Sequence, residues 1–228
     1  KDRVNYMPSA QIDHHLLEGL SFAEAFTYAA DFANRHGYTA ERGFFNPGRR
    51  EGLKLAWCEA TDQIEQPIDW YVQAVSSAMG VYGSYKAARE LLAIGHIQRL
   101  PHLLCVQQES CAPMVRAWEE GAEQIEPSHI VQHPEGIAMA ILRGDPSGVY
   151  PYMREVVQHS GGEFAAVSEA EIRKARTLVA ELENIDICFS AAAAVAGVIK
   201  QRGLGRIPAT DTVLINLTGR DRQEITSP

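Results

Sequence analysis

The stretch from Asp69 to Gly83 constrains the fold more than any other part of the chain. A β-rich run, Trp70 to Val75, ends in the small or flexible residues Ser76 to Gly80 and passes into a helical pattern from Ser84 to Leu92. Backbone N–H groups at the start of a helix are unpaired, and together with the helix dipole they favour an anion such as a phosphate. The loop matches neither G-x-x-x-x-G-K-S/T nor G-x-G-x-x-G, so a nucleoside triphosphate or a dinucleotide is not indicated. A plain strand-to-helix turn is the alternative.

Strand and helix patterns alternate along the rest of the chain. Capping boxes at Ser21 and Ser168 and a cap at Ser190 predict helix starts, and glycines after the apolar stripes predict helix ends. The predicted helices cover about 22–36, 53–64, 84–94, 112–121, 169–182 and 191–199, and the predicted strands cover 70–75, 103–107, 164–167 and 212–217. This alternation predicts an α/β fold with a mainly parallel sheet flanked by helices. In such sheets ligands bind at the carboxyl ends of the strands.

The segment from Gly43 to Gly52 reads as a Gly/Pro/Arg loop. It contains Asn46, Arg49 and Arg50, and two guanidinium groups with an amide can bind an anionic substrate in a bidentate manner. A solvated surface turn is the alternative. The segment from Pro127 to Tyr152 is rich in proline and glycine and is expected to be irregular.

Composition excludes several functional classes. The chain has 46% hydrophobic and 22% charged residues and a net charge of −8, which argues against a nucleic-acid partner because no basic cluster is present. No apolar run approaches the ~20 residues of a membrane span. Four widely spaced cysteines without a C-x-x-C pair favour reduced thiols and a cytoplasmic location. The histidines lack metal-ligand spacing, so no metal is expected, and the absence of G-x-S-x-G argues against a serine hydrolase.

Several stretches, in order, resemble the threonine synthase group of fold-type II pyridoxal-phosphate enzymes. Lys1-Asp2-Arg3 is similar to the end of that group's Ser-Phe-Lys-Asp-Arg motif, and 46–52 to its Asn-Pro-x-Arg-x-x-Gly loop. The loop 75–80 is similar to its phosphate loop, and Leu217-Thr218-Gly219 to its final strand and Thr-Gly pair. Within the group the resemblance is greatest to cysteate synthase. That resemblance is carried by the segments 107–114, 117–118, 161–167, 184–187, 190–196 and 211–219.

The resemblance implies a fold like that of the β subunit of tryptophan synthase, with pyridoxal 5′-phosphate as cofactor. It implies that Lys1 is the Schiff-base lysine and the base at the substrate Cα, and that Thr218 faces the pyridine nitrogen. The residues implied to hold the cofactor phosphate are Ser76, Ser77, Ala78, Met79 and Gly80, although Ser76 and Met79 depart from the glycine-rich family pattern. Asn46, Arg49 and Arg50 are the candidates for binding the anionic substrate.

The implied reaction is a β-replacement on a phosphorylated amino acid. O-phospho-L-serine would lose phosphate and accept sulfite, which yields L-cysteate. Threonine synthesis from O-phosphohomoserine is an alternative within the same class, and a family member without catalysis that serves as a binding module is an alternative of another class. The resemblance also implies a homodimer or a larger homo-oligomer. A small-molecule substrate is expected, with neither a nucleic-acid nor a membrane partner.

The family's Ser-Ser-Gly-Asn-type loop, which binds the substrate carboxylate, has no counterpart in this sequence. We therefore expect residues 1–11 to be a segment that carries the Schiff-base lysine and residues 12–228 to be the large cofactor-binding domain. Most of the smaller domain is expected to be missing between residues 11 and 12. A Cα–Cα separation there well above the ~3.8 Å of bonded neighbours would confirm this expectation.

Overall fold

A computed structural model describes residues 15, 17–20 and 22–220. These residues belong to two compact units that divide between Asn46 and Pro47. Lys1 and the expected break between residues 11 and 12 lie outside the described residues, as does the predicted cap Ser21. The domain boundaries inferred from the sequence therefore stay predictions.

The described residues of the first unit form one long helix, α1 (Phe22–His36), followed by a 3-10 turn at Gly43–Phe45. The helix ends where the sequence predicts, because Gly37 adopts a φ of +71° and lets the chain turn back. The N–H of Tyr38 then donates to the carbonyl of Ala33 at 2.9 Å, which is the longer bond of a Schellman motif.

The second unit is built on a sheet of four parallel strands, so the predicted parallel sheet is confirmed. The strands are β1 (Trp70–Ala74), β2 (His102–Gln108), β3 (Glu163–Val167) and β4 (Val213–Ile215). Their order across the sheet is β3-β2-β1-β4. Trp70 lies beside His102 on one side and beside Val213 on the other. The chain thus moves outward from β1 to β3 and then returns to the other side of β1.

Between residues 47 and 220, seven helices surround or extend this sheet. They are α2 (Pro47–Leu53), α3 (Leu55–Gln63), α4 (Met79–Ala93), α5 (Pro113–Glu119), α6 (Tyr150–His159), α7 (Glu169–Glu183) and α8 (Phe189–Gly203), with a 3-10 turn at Met139–Ile141. Across the described ranges, no helix combines the length and the apolarity needed to cross a membrane.

Alternate residues of the strands pack against different helices, as the two-residue period of a strand requires. Val72 and Val106 belong to a buried cluster with the alanines of α8. On the other face Tyr71 packs edge-on against Trp57 of α3, with ring centroids 5.8 Å apart. The central strand β2 is fully buried from Leu103 to Val106, which explains why its sequence reads as a continuous apolar run.

Several helix boundaries differ from the sequence predictions. The prediction of a loop over 43–52 is wrong in its second half, because α2 begins at Pro47. The fixed φ of proline suits the first helical position. The helix α4 begins at Met79 rather than at Ser84. Cys188 instead of Ser190 caps α8, and its Sγ accepts from the N–H of Ala191 at 3.5 Å. The capping box of Ser168 with Glu171 is confirmed.

Helix α6 has no predicted counterpart. Its first turn contains Pro151, so the helix begins within the proline- and glycine-rich segment that was expected to be irregular. Proline is tolerated in a first turn because the N–H it lacks would be unpaired there. The residue type that usually marks a loop therefore starts a helix here.

An ion-pair cluster of Glu51, Lys54, Lys86 and Glu90 connects α2 with α4. The ammonium of Lys54 lies 2.6 Å from carboxylate oxygens of both Glu51 and Glu90, and Lys86 also pairs with Glu51. The hydrogen bond from Lys54, followed by that from Lys86, lowers the pKa of Glu51 from 4.5 to about 2. Since this pKa is lowered in the folded state, the cluster stabilises the fold above pH 4.5 and loses that contribution as the pH falls toward 2.

We expect a Glu51→Gln variant to remove this part of the pH dependence. The melting temperature of the unmodified protein should exceed that of the variant at pH 7, and the two should converge between pH 4.5 and about 2. High salt should narrow the difference at pH 7, because the side chains are partly exposed and screened. Thermal unfolding followed by circular dichroism measures this. A difference that stays constant from pH 7 to pH 2 would contradict the assignment.

Candidate functional site

The candidate site lies at the carboxyl ends of β1 and β4. These two strands are neighbours in the sheet although the chain visits β2 and β3 between them. At such a topological switch point the connections leave on opposite sides of the sheet and open a crevice, where ligands of α/β proteins bind. The segments that leave the two strands are Val75–Ala78 after β1 and Asn216–Gly219 after β4.

The loop after β1 forms a cradle of backbone donors. Its first residue is anchored by a hydrogen bond from the N–H of Val75 to the carbonyl of Val106 at 2.8 Å. Its last residue, Ala78, has a φ of +55° and serves as the N-cap of α4. That left-handed conformation is uncommon for alanine and turns the chain sharply into the helix.

The N–H groups of this loop and of the first helical turn are available to a ligand. Within the described part of the chain, the amides of Ser76, Ser77 and Ala78 donate to no backbone carbonyl, and the first bond of α4 runs from Tyr82 to Ala78 at 3.0 Å. Ser76 and Ser77 are partly exposed, so their hydroxyl groups are accessible as well. With 15 residues, α4 adds a full helix dipole that favours negative charge at this point.

Three side chains under this loop were not singled out by sequence reasoning. They are Tyr71 and Gln73 on β1 and Asn216 just after β4. The hydroxyl of Tyr71 donates to Oε1 of Gln73 at 2.8 Å, and the amide of Asn216 donates to the Tyr71 hydroxyl at 2.8 Å. A signal was present in the sequence, since a glutamine within a strand of apolar neighbours needs polar partners.

Thr218 lies at the edge of the site and is exposed. Two backbone hydrogen bonds hold the segment around it. The N–H of Asn216 donates to the carbonyl of Val72 at 2.9 Å, and the carbonyl of Gly219 accepts from the N–H of Cys188 at 3.0 Å. Thr218 is therefore held between β1 and the N-terminus of α8.

The three predicted substrate-binding residues do not share one loop, so that part of the prediction is corrected. Arg49 and Arg50 belong to helix α2, whereas Asn46 belongs to the first unit and donates its amide to the carbonyl of Glu41 at 2.8 Å. The guanidinium carbon of Arg50 lies 5.5 Å from the ring centroid of Tyr82 on α4. Their role in binding an anionic substrate stays a prediction.

Lys1, the predicted catalytic residue, lies outside the described residues. The thiols of Cys105 on β2 and of Cys111 just after it are poor nucleophiles, because burial raises the pKa of both. Within the described ranges, no three His, Cys, Asp or Glu side chains are grouped so as to hold a metal ion.

Comparison with known proteins shows a sequence family for nearly the whole chain. A family described as pyridoxal-phosphate dependent enzyme matches residues 5–219. A cysteate synthase of Methanospirillum hungatei is 30% identical over 204 residues, which cover 87% of this chain and 48% of that protein. A threonine synthase of Methanosarcina acetivorans is 34% identical over 175 residues, with 76% of this chain and 42% of that protein covered.

Solved structures share the fold at lower sequence identity. A threonine deaminase isoform of Solanum lycopersicum superimposes with a TM-score of 0.71 at 18% identity, over 92% of this chain and 56% of that one. The serine racemase of Dictyostelium discoideum gives a TM-score of 0.67 at 19% identity, over 89% of this chain and 60% of that one. The chain spans about half the length of the sequence relatives it matches.

Proposed function

Because the chain belongs to the family of pyridoxal-phosphate-dependent enzymes, we propose that the switch point between β1 and β4 is its cofactor site. The proposed reaction is a β-replacement on a phosphorylated amino acid, with O-phospho-L-serine and sulfite giving L-cysteate and phosphate. The observation that carries the proposal is the loop of free backbone donors at the N-terminus of α4, next to the strand end that carries Thr218.

The residues at this site fit the phosphate of the cofactor. The amides from Ser76 onward and the hydroxyl of Ser77 supply donors at the start of α4. A dianion is stabilised by such donors without a compensating cation. Ser76 and Met79 replace glycines of the family pattern, but the backbone donors do not depend on the side chain. The fit therefore supports pyridoxal 5′-phosphate as cofactor.

Thr218 is the proposed partner of the pyridine nitrogen. When bound, the cofactor supplies an electron sink for a transient carbanion at the substrate Cα. A neutral hydroxyl at the ring nitrogen leaves that sink weaker than a carboxylate would, which suits elimination and replacement at Cβ. Lys1 is the proposed covalent attachment point and the base that moves the Cα proton.

The names of the relatives support the substrate class. Several relatives are named cysteate synthase, and another relative is named threonine synthase. Both names are consistent with a phosphorylated amino acid as substrate, for which Arg49 and Arg50 offer cationic groups on α2. We also propose that the protein assembles into a homo-oligomer.

A phosphate-release assay tests the reaction. The full chain, loaded with pyridoxal phosphate, is incubated with O-phosphoserine and sulfite, with O-phosphoserine alone, or with O-phosphohomoserine alone. We expect sulfite-dependent formation of cysteate, together with phosphate release that a Lys1→Ala variant lacks. Phosphate release from O-phosphohomoserine alone would instead favour threonine synthesis.

The inactive binding module is distinguished by spectroscopy. The enzyme interpretation requires an absorbance band at about 410–420 nm once cofactor is added, and this band should disappear in Lys1→Ala. If the band forms but no substrate releases phosphate, the protein is a binding module. If no band forms and no cofactor binds, the cofactor site itself is refuted.

A further inference from the structure

We propose that Gln73 is a positioning residue for the phosphate-binding loop, and that Gln73, Tyr71 and Asn216 together couple this loop to the strand end that carries Thr218. The proposal depends on the proposed cofactor site and goes beyond it. It assigns a role to three side chains that, as proposed, do not touch the reacting atoms.

The three side chains form a closed set of hydrogen bonds between β1 and β4. Oε1 of Gln73 accepts from the Tyr71 hydroxyl at 2.8 Å and from Nδ2 of Asn216 at 3.2 Å, and the same Nδ2 donates to the Tyr71 hydroxyl at 2.8 Å. Tyr71 is only 1% exposed. Burial raises its pKa, so its hydroxyl stays protonated and able to donate.

This set holds the amide of Gln73 directly against the first turn of α4. A Cβ added at Gly80 would stand 2.6 Å from Nε2, 2.7 Å from Oε1 and 3.0 Å from Cδ of Gln73. The end of a long side chain can usually move away from such a clash. Here it cannot move without giving up both hydrogen bonds to Oε1. The hydroxyl of the buried Tyr71 would then lack its acceptor, and a buried polar group that loses its partner is costly.

Gly80 is therefore required because the amide of Gln73 occupies the place of a side chain. The Gln73 amide packs against the first turn of α4, and the N–H groups of that turn are the ones proposed to bind the anion. Since the loop residue Ala78 is already in an uncommon left-handed conformation, a rigid support beneath the turn limits the relaxation that this conformation would otherwise allow.

Asn216 extends the support to the second anchor of the site. Its backbone N–H is bonded to Val72 on β1, and Thr218 follows two residues later. The side chain of Asn216 thus contacts Gln73 beneath the phosphate-binding loop, and Asn216 belongs to the same segment as Thr218. Relative placement of the two anchors determines how well both ends of one ligand can be bound simultaneously.

The test measures pyridoxal phosphate affinity by quenching of tryptophan fluorescence, together with the ³¹P chemical shift of the bound phosphate. Gln73→Met keeps the length of the side chain and removes both polar atoms. We expect it to weaken binding about 10-fold or more and to move the ³¹P resonance. Gly80→Ala should weaken binding by a similar factor.

The decisive comparison is Gly80→Ala in a Gln73→Ala background. With the amide removed, the added methyl group has space, so the second substitution should weaken binding less than about 3-fold further. Where the Gln73 variants do not fold, Asn216→Ala removes the two donors from the other end and should give the same loss. Full additivity of the two substitutions would overturn the proposal.

Gln107 provides a matched control on the neighbouring strand β2. It is a strand glutamine like Gln73, although fully buried, and its Oε1 accepts from the N–H of Met114 in the first turn of α5 at 3.0 Å. Gln107→Met should lower thermal stability without changing the ³¹P shift. If Gln73→Met and Gln107→Met weakened cofactor binding equally, Gln73 would contribute only to the stability of the fold, and the proposal would be overturned. If the unmodified protein binds no cofactor, the proposed function fails instead.

Discussion

A Ser77→Asp substitution is expected to weaken pyridoxal phosphate binding about 100-fold or more. The new carboxylate would stand at the N-terminus of α4, where the free N–H groups and the helix dipole otherwise attract the phosphate. Two like charges about 4 Å apart repel by about 4 kcal/mol at the effective dielectric constant near a protein surface. Each 1.4 kcal/mol changes affinity tenfold, so 100-fold is expected even after partial screening.

Fluorescence titration with the cofactor measures this loss. Ser128→Asp is the control, because Ser128 is an exposed residue of an irregular segment and brings the same charge change. Ser77→Ala should cost much less than the aspartate, since only one hydroxyl donor disappears while the backbone donors remain. Binding of Ser77→Asp within about 3-fold of the unmodified protein would exclude the loop as the phosphate site.

A Gly197→Ala substitution is expected to lower the free energy of unfolding by about 1–3 kcal/mol. Gly197 lies on the face of α8 that packs on the sheet, and a Cβ there would stand 2.5 Å from Cγ2 of Val106. Val106 is fully buried and stiff at χ1, so it cannot rotate away. Replacing glycine by alanine in a helix usually raises stability by about 0.5–1 kcal/mol, but here the clash with Val106 outweighs that gain.

Urea unfolding followed by circular dichroism measures this effect. Gly203→Ala at the end of the same helix is the control, because no atom lies within 4 Å of its added Cβ, and it should be neutral or slightly stabilising. In a Val106→Ala background the cost of Gly197→Ala should shrink, since the two residues share one contact. Equal stability of Gly197→Ala and Gly203→Ala would show that α8 does not approach the sheet this closely.

Local patterns were sufficient for much of the fold. The strand β2 was predicted almost to the residue because a continuous apolar run between polar ends leaves few alternatives. The capping box of Ser168 was predicted because both of its partners lie within four residues. The parallel sheet follows from the alternation of such elements.

Helix starts were less predictable where a residue type occurs both in loops and in the first turn of a helix. Pro47 and Pro151 read as loop residues, yet each lies in the first turn of a helix. Cys188 caps α8 although cysteine is not a typical capping residue. Its backbone N–H is bonded to the carbonyl of Gly219, and its Sγ accepts from the N–H of Ala191. In each case the surrounding fold selected one of two locally acceptable conformations.

The elements of the site can be read from local sequence: a small-residue loop between a strand and a helix, and a threonine after the last strand. The tertiary structure alone decided that β1 and β4 are neighbours, which brings the two segments to one crevice. It also decided that Gln73 meets Asn216, 143 positions away along the chain. Such contacts have no local pattern, because they depend on strand order and register, which become defined only when the whole sheet packs.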